Sequence, residues 1–257
     1  MSTEAADVPD AEESAAVLRG LLRRWESYGP EARIRIIDGS LVGGLQIRTL
    51  AEHCARLTEA ILLLVSEGHY LTAMPLIRQT LECAVTAAWI SIAPNASFAA
   101  VYESARQQKN AYDAALRQDS LFEDPARTEE LADMLERFGG YKADAAKNFE
   151  TRCKQLKGGE SLYVYYRIFS QVAHADMSLM DEYLEKIANT GDDTKDYRFV
   201  TPAPYPLIGT ALAFQVCMLV LAQSAYDNGI EGTPHAAELR SIADRFGFNS
   251  DIAWSEE

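Results

Sequence analysis

The chain reads as an all-α protein, a helical bundle of about eight helices with mostly antiparallel neighbours, and three features of its sequence predict this. Apolar residues recur at three- and four-residue spacing through most of its length, the period of a helix with one buried face. No stretch of useful length alternates in the two-residue period of a half-buried strand. From Phe199 to Tyr226 there is no charged side chain, the composition expected of a helix buried on all sides at the centre of a bundle.

A first helix is expected from about Glu12 to Ser27, ending before Gly29-Pro30. The second runs from about Ser40 to Ser66, with Ile47, Leu50, Cys54, Leu57, Ile61 and Leu64 on its inner face, and Gly68 stops it. The third spans about Leu71 to Ala93, stopped by Pro94-Asn95, and the fourth, more polar, about Ser97 to Gln118, with Tyr102, Ala105, Tyr112 and Leu116 turned inward. Asp124-Pro125 opens a short helix to Phe138 that Gly139-Gly140 closes. Helices over about Lys142 to Leu156 and Ser161 to Asn189 follow, the latter bent near Asp176-Met177-Ser178. Gly191, three acidic residues and Pro202, Pro204 and Pro206 mark 189–205 as a loop. The apolar helix from Pro206 to Asp227 and an amphipathic one from Thr233 to Phe246 complete the bundle. The second, third and Pro206 helices are expected nearest the centre.

The composition, 48% apolar and 24% charged, is that of a soluble globular protein. Residues 1–14 are acidic and rich in small side chains and are expected to be disordered; 15–250 form one helical domain, since no internal segment reads as a linker. The N-terminus lacks the basic start and apolar run of a secretory signal, so cytoplasmic residence is expected. Leu207 to Ala222 approaches the ~20 apolar residues that span a bilayer. Gln215 interrupts it and neither flank is clearly basic, so a core helix and no membrane association are expected. The cysteines, Cys54, Cys83, Cys153 and Cys217, show neither Cys-x-x-Cys spacing nor a dense framework and read as reduced, mostly buried thiols.

A net charge of −14, from 38 acidic and 24 basic side chains, repels polyanions over the surface as a whole. One stretch departs from it. Between 142 and 157, Lys142, Lys147, Arg152, Lys154 and Lys157 outnumber Asp144 and Glu150, which makes this a candidate nucleic-acid contact; the plainer reading is a solvated helix face.

That stretch precedes Tyr163-Val-Tyr-Tyr-Arg167-Ile-Phe-Ser170-Gln171-Val-Ala-His174. Seven steps at ~100° return almost to the starting direction, so Arg167 and His174 share a helix face, with Ser170 and Gln171 between them. Leu162, Tyr165, Phe169, Val172 and Ala173 take the opposite face. Arg and His together suit phosphodiester chemistry, one holding anionic oxygens and the other titrating near neutral pH. These two are the candidate catalytic residues.

In the third helix Arg78 and Glu82 lie one turn apart, and Met74, Leu81, Val85 and Trp89 fall near the same face. The pair is therefore expected to be buried, and either fixes how helices dock or supports Arg167 and His174. His53, Glu82, His174 and Asp176 form a mixed imidazole and carboxylate set that suits zinc or iron. No Glu-x-x-His spacing accompanies it, and no metal or cofactor is expected. Gly43-Gly44 lacks the Lys-Ser/Thr and strand context of a phosphate loop. There is no Gly-x-Ser-x-Gly elbow and no helix-turn-helix with a basic recognition face.

Two segments, Glu67-Gly-His-Tyr-Leu-Thr-Ala-Met-Pro-Leu-Ile-Arg78-Gln-Thr-Leu-Glu82 and Tyr165-Tyr-Arg167-Ile-Phe-Ser170-Gln-Val-Ala-His174, resemble an uncharacterised family of bacterial helical proteins. Its members carry an Arg-x-x-x-Glu helix and, downstream, Tyr-Arg-x-x-Ser-x-x-x-His; the likeness covers about residues 45 to 230. More distantly, Arg167 and His174 resemble the Arg-x(4–6)-His motif of HEPN proteins, helical bundles of toxin–antitoxin and phage-defence systems. That resemblance implies metal-independent RNA cleavage with two protomers' motifs facing each other. It casts His174 as general acid/base toward the ribose 2′-hydroxyl or leaving oxygen, and Arg167 as the group stabilising charge on the phosphate. The sequence departs at Ile168, a position often polar in HEPN proteins, many of which act without cleavage. RNA at a local site, a second copy of the chain and a protein partner are the partners expected. The alternative is a non-catalytic interaction or scaffold module in which Arg78, Glu82, Arg167 and His174 form a polar network.

Overall fold

The computed structural model describes residues 10–28, 41–118, 124–173, 177–187, 197–230 and 232–255. Met1 to Pro9, Gly29-Pro30, His174, Asp176 and Gly191 lie outside the described residues. The chain is an all-α bundle, with eleven α-helices among the described residues.

Helix α1 (Ala11–Ser27) begins where the Asp10 carboxylate accepts the Glu13 N–H at 2.7 Å. The helix thus starts inside the stretch expected to be disordered, and Ser14 is buried. Its apolar stripe, Leu18, Leu21 and Trp25, faces inward. α2 (Leu41–Ser66) and α3 (Tyr70–Ile92) are joined by Glu67-Gly68-His69. Gly68, at φ +77°, adopts the left-handed conformation that this tight reversal needs, and α3 folds back along α2. α4 (Ala96–Gln118) follows, then α5 (Pro125–Phe138), capped by Asp124 with Pro125 at its first position. Gly139 and Gly140 open a 3₁₀ turn, Gly139–Tyr141.

The helix expected over 142–156 is divided into α6 (Asp144–Lys147) and α7 (Phe149–Lys154). Asn148 is extended between them, and its side chain accepts the Thr151 N–H to cap α7. Arg152 holds the break by donating from Nε to the Ala145 carbonyl (2.9 Å) and from Nη2 to that of Ala146 (2.7 Å). The next expected helix is also divided, into α8 (Glu160–Ala173) and α9 (Ser178–Tyr183).

Directly after α9 the chain turns extended as β1 (Leu184–Lys186), which pairs antiparallel with β2 (Tyr197–Phe199) in the register Leu184 to Phe199, Glu185 to Arg198 and Lys186 to Tyr197. This small hairpin corrects the expectation of helix up to Asn189 and loop beyond it. The pairing is non-local, so no periodicity within either three-residue segment announces it. An ion pair between Glu185 and Arg198 (2.6 Å) and the Val200 N–H donated to the Tyr183 carbonyl (2.9 Å) secure it.

α10 (Ile208–Asp227) runs through the middle and is buried at every position from Ala211 to Asp227. It packs on α1, α2 and α3, and α11 (Ala236–Arg245) closes over it; α8 lies along α3 and touches α10 at Phe214. With 20 residues and a mean hydropathy of 1.7 over its most apolar 18, α10 is long and apolar enough to cross a bilayer, yet 83% of that 18-residue stretch is buried within the bundle. Gln215 finds a partner inside it, donating from Nε2 to Thr58 Oγ1 at 2.8 Å, while the Thr58 hydroxyl donates to the Cys54 carbonyl.

Candidate functional site

α3 and α8 bring the sequence-predicted residues together along one seam. Arg78 on α3 pairs with Glu82 one turn on, Nη2 to Oε1 at 3.0 Å, and the same nitrogen donates to the Tyr166 hydroxyl on α8 at 2.8 Å. The guanidinium also lies 4.7 Å from the Tyr166 ring centroid, within cation–π range. Tyr166 itself is wedged between Phe149 of α7, at 4.6 Å, and Tyr163, stacked at 5.8 Å. One turn further, the Ser170 hydroxyl donates back to the Tyr166 carbonyl at 2.6 Å. Ser170 is half-buried and spent on its own helix.

The expectation of a buried Arg78–Glu82 pair is corrected. Their side chains are 23% and 31% exposed, because the stripe of Met74, Leu81, Val85 and Trp89 is buried while the pair sits at its edge, under the aromatic side chains of α8. Arg78 Nε is nonetheless buried and has no hydrogen-bond partner among the described residues.

Arg167, the next residue after Tyr166, is exposed, as is Gln171. Its charge reaches Glu150 and Tyr163. The Glu150 carboxyl is held below its ordinary value, chiefly by the hydrogen bond from Lys154 and in lesser part by Arg167. The Tyr163 hydroxyl is raised, first by desolvation and then by the Glu150 charge, with Arg167 opposing. His174 lies outside the described residues.

The inner face of α8 is close to the one expected. Leu162 and Phe169 are buried and Val172 packs against the core. Tyr165 is more open, resting its ring on Phe214 at 4.5 Å. Val164 and Ile168, by contrast, are 57% and 40% exposed on the side that carries Arg167.

The basic stretch divides by role. Arg152 uses its third nitrogen, Nη1, to donate to Thr86 Oγ1 on α3 at 2.6 Å, and lies 5.4 Å from the Trp89 ring. Its guanidinium is therefore bound up in the α6–α7 junction. Lys154 pairs with Glu150 at 2.7 Å. Lys142 is exposed with its ammonium 5.3 Å from the Tyr102 ring, and Lys147 and Lys157 are exposed. His53 is exposed, and its neighbour Glu52 accepts from Trp25 Nε1 (2.7 Å) and Arg56 (2.8 Å). No group of three or more His, Cys, Asp or Glu among the described residues is placed to hold a metal ion.

Sequence reasoning did not single out Tyr166 as a site residue. Its signal was there: it stands one turn before Ser170 and beside Arg167, in a run with three tyrosines in four positions. What the run could not reveal is which tyrosine meets Arg78, since that depends on how α8 sits against α3.

A half-buried Arg–Glu–Tyr cluster joins two helices, with an exposed arginine on the outer face of one of them. The segment bearing all of it, residues 47–193, matches a family of unknown function, DUF5677. That span is more than half of the chain, so the protein belongs to this family. Searches of curated proteins and of solved structures each found no match.

Proposed function

We propose that the protein is a cytoplasmic, HEPN-like, metal-independent ribonuclease of the toxin or defence type, acting as a homodimer, with Arg167 and His174 as its catalytic residues. The observation that carries this reading is the exposure of Arg167 on a helix that Arg78, Glu82 and Tyr166 brace from behind. A catalytic guanidinium must reach a phosphate while its helix stays put, and the brace supplies the second requirement. His174 takes the proton of the ribose 2′-hydroxyl as that oxygen attacks phosphorus, or protonates the leaving oxygen, and Arg167 offsets the charge on the non-bridging oxygens. Exposed Lys142, Lys147 and Lys157 offer RNA a local foothold on an acidic protein. Val164 and Ile168 supply an apolar strip beside Arg167 through which two copies meet, setting their motifs face to face.

That strip also favours a second reading, an interaction module whose α8 docks a protein partner without cleavage. Both readings are separated by incubating a mixed RNA pool with the protein in EDTA, beside Arg167→Ala and His174→Ala variants shown by circular dichroism to be folded. The ribonuclease reading expects EDTA-resistant cleavage that falls at least about 100-fold in each variant. Tyr166→Phe serves as the control: it loses the hydrogen bond to Arg78, about 1 kcal/mol of stability, and keeps most of the cleavage. Absence of cleavage in every sample selects the interaction module. Sedimentation checks the dimer, which Ile168→Glu is expected to dissociate.

A further inference from the structure

α2 and α3 fold back on each other about Gly68-His69. Cys54 stands fourteen residues before Gly68 and Cys83 fourteen after His69, so the hairpin brings them to one level, about 20 Å from the turn. Cys54 is fully buried, and its thiol donates to the Thr80 carbonyl of α3 at 3.7 Å, one turn before Cys83. The Cys54 thiol thus lies beside Cys83, and each of the two shifts the other's ionisation. Cys83 retains 6% exposure, and Gln79 Nε2 donates to its sulfur at 3.7 Å.

We propose that Cys54 and Cys83 are a redox pair that hydrogen peroxide converts to a disulfide joining α2 to α3. The surroundings divide the roles. The neighbouring Cys54 thiol, and after it the Gln79 amide, hold Cys83 below the ordinary thiol value and favour its thiolate, whereas burial raises Cys54 well above it. The Cys83 thiolate attacks peroxide: an S–O bond forms, the O–O bond breaks, and hydroxide leaves to take up a proton as water. The Cys54 sulfur then attacks the sulfenic sulfur, forming the S–S bond as the S–O bond breaks, and the departing oxygen leaves as water with the Cys54 proton. Two thiols are oxidised and one peroxide is reduced to two waters. Cys153 and Cys217 are each pushed up to about 12 by burial and serve as internal controls. The bond would form in the turn of α3 that carries Glu82, so oxidation acts directly behind the Arg78–Glu82–Tyr166 brace.

The test treats the full-length folded protein with hydrogen peroxide, unfolds it in iodoacetamide and maps the cysteines by mass spectrometry. Of the four thiols present, alkylation is expected to fall to two, Cys153 and Cys217. Tryptic peptides 49–56 and 79–106 should be cross-linked, about 2 Da lighter than their sum and separable by dithiothreitol. In Cys54→Ser the sulfenic acid on Cys83 should persist and be trapped by dimedone. Four alkylatable thiols after peroxide, or oxidation of Cys153 and Cys217 at the same rate as the pair, would overturn the proposal. So would a dimedone adduct on Cys54 in Cys83→Ser with none on Cys83 in Cys54→Ser. The wild-type measurement stands even where a variant folds poorly.

Discussion

Arg24 shows how much one side chain of this bundle carries. It is buried at the end of α1 and donates from Nε and Nη2 to the two Glu238 oxygens at 2.9 and 2.8 Å, and from Nη1 to Gln223 Oε1 at 3.0 Å. Gln223 in turn donates to the Leu21 carbonyl, so α1, α10 and α11 are joined through one guanidinium. The Glu238 side chain is 59% exposed, and an ion pair so open to water contributes only about 0–1 kcal/mol. Gln223 is fully buried. Arg24→Met is therefore expected to destabilise by about 2 kcal/mol in urea unfolding, mostly from stranding the Gln223 oxygen. Arg24→Lys should recover little, because an ammonium cannot span both partners. The Glu238 carboxyl is held below its ordinary value, first by its hydrogen bond from Arg24. It binds a proton more weakly folded than unfolded, so its contribution is complete above the unfolded value near ~4.3 and is lost as pH falls through the lower folded value. Melting temperatures from pH 7 to 3 should accordingly decline less steeply below about pH 5 in Glu238→Gln than in the wild type.

At the scale of elements, the start of α8 is set by the turn before it. Gly158 sits at φ +73°, and a Cβ on Gly159 would run into the Cys153 carbonyl. The C-terminal segment holds this turn from outside: the Lys157 N–H donates to the Ala253 carbonyl and the Ser255 N–H to that of Gln155, both at 3.0 Å. Trp89 Nε1 donates to Gln155 Oε1 at 2.7 Å. Gly158→Ala should cost about 1 kcal/mol, the penalty of a left-handed L-residue. Gly159→Ala should cost about 3 kcal/mol, because backbone rather than a side chain must move; guanidinium unfolding of the two variants checks the order. Nothing in Lys157-Gly158-Gly159 taken alone ranks the two glycines. Where punctuation is local the sequence was readable: Pro94-Asn95, Asp124-Pro125 and Gly68 place the bounds of α2 to α5 within about two residues. The α6–α7 break escaped because Arg152 binds carbonyls seven and six residues earlier, and β1 because its partner strand begins more than ten residues on. The candidate site divides in the same way. Periodicity was enough to put Arg167 opposite Leu162 and Phe169, whereas the bond from Arg78 to Tyr166 and the exposure of Val164 and Ile168 follow from where α8 lands on α3.

For the molecule as a whole, the decisive element is α10. Its sequence, free of charge up to Tyr226, suits a bilayer or a core, and what separates the two is whether other helices cover it, as α1, α2, α3 and α11 do here. One continuous set of buried side chains runs from Leu18 and Trp25 of α1 through Trp89 of α3 and Phe169 of α8 to Leu239 of α11, with Leu212, Met218 and Leu219 at its middle. Leu219 is fully buried. Leu219→Ala should therefore leave a cavity that several elements border, and cost about 3 kcal/mol, or roughly 8 °C of melting temperature for a chain of this size. Trp25 and Trp89 are buried on different helices and report tertiary packing by fluorescence, while far-ultraviolet circular dichroism reports helix content. If α10 ties the helices into one cooperative unit, both signals shift together to the same lower midpoint in the variant. Two separate midpoints would mean that the helices outside the α1–α2–α3–α10 centre unfold on their own. The brace between α3 and α8 would then have to be strong enough to hold Arg167 in place without help from the core.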